Sequence, residues 1–222
     1  MAAAQLNAGN LDAVRLSRLR LSIEQQIDVM SRVIGDLLDK ARADHGKIRL
    51  QCVDVDLAEL ITRAIGACRP SAALRAQHLA LHLPAEPGLH VHGDPIRLLQ
   101  MIGNLLSNAS KYTPRGGKIS MSVMLCADWI QMTVSDNGIG IPTDSLGKIF
   151  DPFVQTDLAL RCDGSGLGIG LSLVRELAEA HGGRVAARSA GPGLGSAFTV
   201  MLPVPGARKH GFPKHAIHLD PA

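Results

Sequence analysis

The residues best placed to do chemistry fall in three short stretches: Asn104-Leu-Leu-Ser-Asn108-Ala-Ser-Lys111-Tyr112, then Asp136-Asn-Gly-Ile-Gly140, then Gly164-Ser-Gly-Leu-Gly-Ile-Gly170. Residues four apart share a helix face, so Asn104 and Asn108 offer two carboxamides to one cavity, with Lys111 and Tyr112 one turn further on. Amide oxygen suits a hard divalent cation, and Mg²⁺ keeps its waters while bridging substrate phosphates. Lys111 is a point charge for a phosphate, and Tyr112 brings a flat face or a hydroxyl to a sugar or base. In the second stretch Asp136 can accept a hydrogen bond, and Gly138 and Gly140 let backbone approach a planar ring. In the third, Gly164, Ser165, Gly166, Leu167 and Gly168 lead into a helix whose free N–H groups and dipole favour phosphate. Together, in this order, they read as a nucleotide site. It is neither a Rossmann fingerprint nor a P-loop: no strand immediately precedes the glycine run, and no Gly-Lys-Ser/Thr follows it.

Each stretch alone has a plainer reading. Two Asn on a helix are surface amides, Lys-Tyr is a solvated helix end, and Asp-Asn-Gly is a turn. Phe150 and Phe153, flanking Asp151-Pro152, are either core filling or part of the nucleotide machinery.

The elements that must position these residues follow from periodicity. Over residues 11–43 apolar side chains recur at Leu16, Leu19, Ile23, Ile27, Met30, Ile34, Leu37 and Ala41, one stripe along a long helix that needs a partner helix or a second chain. Ile48, Leu50 and Cys52 suggest a short strand. Asp56 and Glu59 form a capping-box pattern for a helix that Pro70 should kink or end. Strands follow at residues 79–83 and 89–92. Asp94-Pro95 opens a helix that carries Leu98, Leu99, Ile102, Leu105 and Leu106 inward and stops before Pro114. Two strands near 118–125 and 129–135 lead into a loop, residues 136–166, with a short helix at 144–147. A helix over 167–180 ends at Gly182-Gly183, with Gly170 allowing close packing on the sheet, and strands at 184–189 and 196–202 finish the fold. The pattern predicts an α/β protein, a two-layer α/β sandwich with helices on one face of a mixed sheet, preceded by the long helix.

The three stretches, with Phe150-Asp-Pro-Phe153 between the last two, resemble the N, G1, F and G2 boxes of the histidine-kinase ATP-binding domain over residues 54–203. The resemblance implies the Bergerat-type topology, ATP and Mg²⁺ as ligands, and transfer of the γ-phosphoryl to a histidine. It makes Asn108 the Mg²⁺ ligand, and Asn104 the residue that positions the phosphates or a metal-bound water. Related ATPases of the superfamily carry Glu at the place of Asn104 to activate water. Asn cannot take that proton, which argues for weak hydrolysis and transfer to a protein side chain. Asp136 is implied to accept from the adenine amino group, selecting ATP over GTP. The F box is implied to seat a lid, residues 154–163, that orders with nucleotide. Met30-Ser-Arg-Val-Ile-Gly-Asp-Leu-Leu-Asp39 resembles the second helix of the dimerisation hairpin. This divides the chain into a partial hairpin at 1–46, an ATP-binding domain at 47–205 and a flexible tail at 206–222.

No His-Glu or His-Asp pair, the family's acceptor pattern, occurs in the sequence. His45 precedes a glycine, and His181 in His-Gly-Gly reads as a helix terminus. The expected partners are therefore a histidine-bearing dimerisation domain on another chain or in an upstream segment, a response regulator, and a second copy through the N-terminal helix. A nucleotide-binding module that pairs with and titrates an intact kinase is the non-catalytic alternative. A serine/threonine-directed kinase of the anti-sigma type is a third.

Composition narrows the field. The 222 residues are 46% hydrophobic, enough for a packed core. A net charge of +3 and 3% aromatic content offer neither a cationic track nor stacking platforms for nucleic acid. Cys52, Cys68, Cys126 and Cys162 are scattered, giving no disulfide framework or zinc spacing, and His78, His82, His90 and His92 lack carboxylate or thiol company and read as surface residues. No apolar run approaches the roughly 18–20 residues of a membrane span, and residues 1–10 lack a signal-peptide pattern, so a cytoplasmic chain is expected.

Overall fold

The computed structural model describes residues 49–84, 88–162 and 167–207. The stretch expected to form a long N-terminal helix, His45, Gly164, Ser165, Gly166 and most of the tail fall outside these residues. Among the described residues seven strands and four helices follow one another as β1 (Val53–Asp56), α1 (Leu57–Leu74), β2 (His78–His82), β3 (His90–Gly93), α2 (Pro95–Tyr112), β4 (Lys118–Cys126), β5 (Trp129–Asp136), α3 (Asp157–Cys162), α4 (Gly170–Ala180), β6 (Arg184–Arg188) and β7 (Ser196–Pro203). Five strands form one sheet in the order β2-β4-β5-β7-β6, and β1 and β3 form a separate two-stranded ribbon. Only β2 and β4 run parallel; the other pairs are antiparallel. The sheet is mixed, with α1, α2 and α4 sharing one core with its inner face, so the two-layer sandwich stands as expected.

The core explains the packing. Ile130, Met132 and Val134 alternate inward along β5, and Phe198, Val200 and Leu202 along β7. Against them α2 sets Leu98, Met101, Ile102, Leu105, Leu106 and Ala109, all buried. Each large apolar side chain so buried contributes about 1.5–3 kcal/mol, which is why a helix with two Asn on its other side stays docked.

Both ends of α2 are fastened. At its start the Asp94 carboxylate accepts N–H bonds from Ile96 at 3.0 Å and Arg97 at 3.2 Å, and its other oxygen accepts from Gln51 at 3.0 Å. The Asp94 N–H donates to His181 Nε2 at 3.0 Å, while His181 Nδ1 lies 2.7 Å from the Leu177 carbonyl. His181 is thus a neutral, two-sided link between the start of α2 and the end of α4. At the far end of α2, Gln77 donates to the carbonyls of Ser110 at 2.9 Å and Thr113 at 2.7 Å, and Arg75 to those of Ser110 and Lys111. A cation and an amide there satisfy carbonyls that the helix itself leaves unpaired.

Several expectations are corrected. Among the described residues the first strand is Val53–Asp56 and residues 49–52 are not strand, because pairing with β3 places Val55 opposite Val91 and buries both. Asp56 does cap α1, accepting from Ala58 and Glu59, but Pro70 does not end that helix. Gly66 and Pro70 both face solvent, so water can serve the carbonyl that Pro70 leaves without a donor. Residues 144–147 form successive turns, not a helix, and the loop's helix is instead α3. Thr156 starts α3 by accepting the Ala159 N–H at 3.2 Å, with Asp157 in its first turn and Arg161 in its last. The glycine-run helix begins at Gly170, not at residue 167.

Burial raises the Asp94 carboxyl, but the hydrogen bonds from Gln51, Arg97 and Ile96 and the Arg97 charge outweigh it and hold it below the ordinary 3.8. A depressed carboxyl stabilises the fold above its unfolded value, and that contribution disappears as pH falls below 3.8. Asp94→Ala should cost about 1–2 kcal/mol in urea unfolding near neutral pH. The smaller gap between the wild type and Asp94→Asn should close as pH drops below 3.8; a gap independent of pH would remove the carboxylate from this role.

Candidate functional site

The first stretch lies on the second half of α2. Asn104 is only 9% exposed, and its Nδ2 is buried without a hydrogen-bond partner among the described residues. It sits where α4 begins: a Cβ on Gly170 would lie 4.0 Å from Asn104 Cγ and meet nothing nearer. Gly170 therefore faces α2 and not the sheet, correcting the expected role. No side chain caps α4 at Ile169, so the free N–H groups of its first turn open beside an amide whose own donor is unpaired. Buried donors without acceptors cost about 1–3 kcal/mol each, and donors gathered at a helix start suit an anion.

Asn108, one turn along, is half-buried. Lys111 Nζ stands 5.1 Å from the centroid of the Tyr112 ring, in the range of a cation–π contact. The Tyr112 carbonyl accepts the Ile139 N–H at 3.1 Å, joining the end of α2 to the second stretch, and a Cβ on Gly138 would overlap that carbonyl.

The Asp136–Gly140 segment is gripped from its other side by the loop between β6 and β7. The Gly193 N–H donates to the Ile139 carbonyl at 2.7 Å and the Gly195 N–H to the Gly138 carbonyl at 3.2 Å. Gly140 has φ +69°, and a Cβ there would overlap the Gly191 carbonyl, so position and conformation both require glycine. Ser189 Oγ ties the two loops by accepting the Ile141 N–H at 2.9 Å and donating to the Gly195 carbonyl at 2.7 Å.

Asp136 is held rigidly within this grip. Its Oδ1 accepts the Gly138 N–H at 2.8 Å and its Oδ2 the Ser196 hydroxyl at 2.6 Å. Burial pushes the carboxyl above its ordinary 3.8, against the pull of the hydrogen bonds from Ser196 and Gly138. The Ser196 backbone N–H adds a further hydrogen bond, and of the roughly four lone-pair sites of a carboxylate some remain for another donor. Ser189 and Ser196 were not singled out from sequence. The partnership of Ser196 with Asp136 comes from the register of β5 with β7, which places the two opposite each other.

The Phe-Asp-Pro-Phe turn divides its labour. Phe150 is buried, edge-on to Phe198 with centroids 6.4 Å apart, as core filling would have it. Phe153 is 63% exposed with φ +64°, and its N–H donates to the Gly168 carbonyl at 3.1 Å. Gly168 packs on the Phe153 and Val154 backbone, and Asp151 meets Arg175 of α4 at 3.3 Å, so the turn is fastened to the approach to α4. Leu167 is exposed. Among the described residues no group of three or more His, Cys, Asp or Glu could hold a metal ion, and no helix is long and apolar enough to cross a membrane. His78, His82, His90 and His92 are all exposed, His90 lying 3.7 Å from Asp54, and none of the four cysteines forms a disulfide.

Comparison with known proteins agrees with this fold. Residues 93–206 match the family described as histidine kinase-, DNA gyrase B-, and HSP90-like ATPase. The alginate biosynthesis sensor protein KinB of Pseudomonas aeruginosa is 36% identical over 184 residues, 82% of this chain and 30% of KinB. The adaptive-response sensory kinase SasA of Thermosynechococcus vestitus is 37% identical over 190 residues, 85% of this chain and 49% of SasA. The chain thus spans less than half the length of these relatives. Among solved structures, full-length ShkA in complex with AMPPNP superposes with a TM-score of 0.68 at 28% identity, covering 77% of this chain and 35% of ShkA.

Replacing Ser196 by Ala removes the hydroxyl that opposes the effect of burial on Asp136. The carboxyl should then titrate at a higher pH than in the wild type, followed by NMR of the Asp136 side-chain carbon, with a stability loss of roughly 1 kcal/mol. An unmoved titration would show that Ser196 does not hold the carboxylate.

Proposed function

Because the chain belongs to the histidine kinase-, DNA gyrase B-, and HSP90-like ATPase family, we propose that it is a histidine-kinase catalytic module that binds Mg·ATP and passes the γ-phosphoryl to a histidine. The acceptor would stand on another chain or on a further segment of a longer protein. The observation that carries this reading is the buried, unpaired Nδ2 of Asn104 facing the uncapped start of α4. Donors gathered without an acceptor fit the phosphates of a nucleotide, and Asp136 adds a fixed acceptor for an adenine amino group.

In this reading Asn104 would donate from Nδ2 to a phosphate oxygen or accept from a metal-bound water through its amide oxygen, and the amide oxygen of Asn108 would hold Mg²⁺. When bound, the ion neutralises phosphate charge. Lys111 adds a second positive charge, Tyr112 lines the sugar or base, and Gly138 and Gly140 bring backbone beside the ring. Gly164, Ser165, Gly166, Leu167 and Gly168 border the phosphates. Transfer breaks the P–O bond to the leaving ADP and forms a P–N bond to the acceptor imidazole, which gives up its proton. Asn104 has no basic group to activate water, so the site favours this transfer over hydrolysis. Residues 1–46 serve as part of a dimerisation hairpin, 47–205 as the ATP-binding domain, and a response regulator receives the phosphoryl next, all in the cytoplasm.

The absence of a His-Glu or His-Asp pair in the sequence favours one second reading, a regulatory module that binds nucleotide and pairs with an intact kinase. One experiment separates the two. The full chain, Mg²⁺ and γ-labelled ATP are mixed with a separate dimerisation domain bearing the acceptor histidine. Acid-labile label should appear on that domain, and Asn108→Ala should slow its appearance by roughly 100-fold. A chain that binds ATP yet labels no histidine would support the regulatory reading.

A further inference from the structure

Gly93, the last residue of β3, is not glycine for the sake of its backbone. It is a strand residue without a positive φ, a conformation open to any side chain. What excludes a side chain there is His181, far away in the sequence. A Cβ on Gly93 would stand 2.7 Å from the imidazole Cδ2, 3.1 Å from its Nε2 and 2.9 Å from Leu98 Cδ1. The end of Leu98 could turn aside. The ring could not, because both of its nitrogens are engaged. A backbone N–H can only donate, so the 3.0 Å bond from the Asp94 N–H makes Nε2 a bare acceptor. The ring proton therefore sits on Nδ1 and is donated to the Leu177 carbonyl at 2.7 Å.

The consequence of this interlock falls at the other end of the same two helices. Between Asp94 and Asn104 α2 rises about 15 Å, and between Gly170 and His181 α4 rises about 17 Å. The start of α2 meets the end of α4, and Asn104 meets α4 at Gly170, so the helices run antiparallel with contacts at nearly equal spans. Leu173, Val174 and Leu177 hold α4 to the core. Such apolar attraction is non-directional and tolerates a small axial slip, whereas two hydrogen bonds on one rigid ring do not. A helix transmits a slip at one end to the other as a rigid element. Movement at His181 would therefore reach Asn104 and the uncapped N–H groups of α4.

We propose that His181, seated in the space that Gly93 leaves, is a positioning residue for the anion held between Asn104 and the start of α4. Its ring sets the axial register of α4 on α2, roughly 15 Å from that site. Naming the anion as the phosphates of ATP rests on the nucleotide reading, while the register itself does not.

Two variants separate this role from lost packing. His181→Gln keeps an acceptor for the Asp94 N–H, and His181→Leu fills the space without one. Calorimetric titration of the full chain with Mg·ATP should find binding weakened about tenfold by His181→Leu but within about twofold of the wild type for His181→Gln. In the nucleotide-free chain the side-chain amide NMR signals of Asn104 should shift in the Leu variant and return in the Gln variant. Leu79→Ala serves as the control for lost stability: β2 lies at the opposite edge of the sheet from β6, against which α4 packs. It should change neither readout. Wild-type affinity with unmoved Asn104 signals in His181→Leu overturns the proposal, as does a Gln variant no better than Leu. If His181→Leu does not fold, Gly93→Ala decides, because its methyl group displaces the ring; unchanged affinity and unchanged Asn104 signals there reject the proposal. A wild type that binds no ATP contradicts the proposed function alone, and the Asn104 signals across the variants then decide the register.

Discussion

The site depends on backbone meeting backbone where side chains would forbid it. The Asp136–Gly140 segment is held between the Tyr112 carbonyl at the end of α2 and the loop that joins β6 to β7. A Cβ on Gly138, Gly140 or Gly195 would overlap a carbonyl of the neighbouring segment, so bare glycine at all three lets three separate parts of the chain share one layer. That contact fixes Asp136 relative to α2, and α2 carries Asn104, Asn108, Lys111 and Tyr112. A shift in any one of the three segments would move the carboxylate away from the amides.

The rest of the fold keeps that arrangement from slipping. α2 is anchored at its start through Asp94 and His181 and at its end through Gln77 and Arg75, so it can neither slide along its axis nor fray beside the site. The Asp94–His181 link also reaches α4, the helix whose uncapped start faces Asn104. One set of neutral hydrogen bonds therefore sets the spacing of the two helices that supply the donors. The aliphatic face of α2 provides the adhesion, while these polar ends provide the register.

Much of this was legible in the sequence because it is local. The pairing of Asn104 with Asn108 follows from helical spacing, the cap at Asp94 from Asp-Pro, and the sandwich from alternating strand and helix patterns. Phe150 entered the core as its type suggests. What was not legible depends on pairing between distant residues. Ser196 reaches Asp136 only because β5 and β7 align in one register, and Gln77 reaches Ser110 and Thr113 only once β2 lies beside the end of α2. Pro70 misled because its effect depends on which side of the helix faces water. The helix at residues 157–162 was passed over because its signals, a Thr cap with one acidic and one basic residue, fit into barely more than a turn. Register and exposure are properties of the assembled sheet, and a local pattern does not contain them.

The central claim is that a carboxylate, fixed by glycine-to-backbone packing and by Ser196, reads an adenine amino group. The most direct test is calorimetric titration of the full chain with ATP and with GTP in the presence of Mg²⁺, for the wild type and for Asp136→Ala. The account predicts that the wild type binds ATP at least about tenfold more tightly than GTP, a difference near 1.4 kcal/mol, and that Asp136→Ala removes the preference. Equal binding of the two nucleotides by the wild type, or a preference that survives the loss of Asp136, would contradict it.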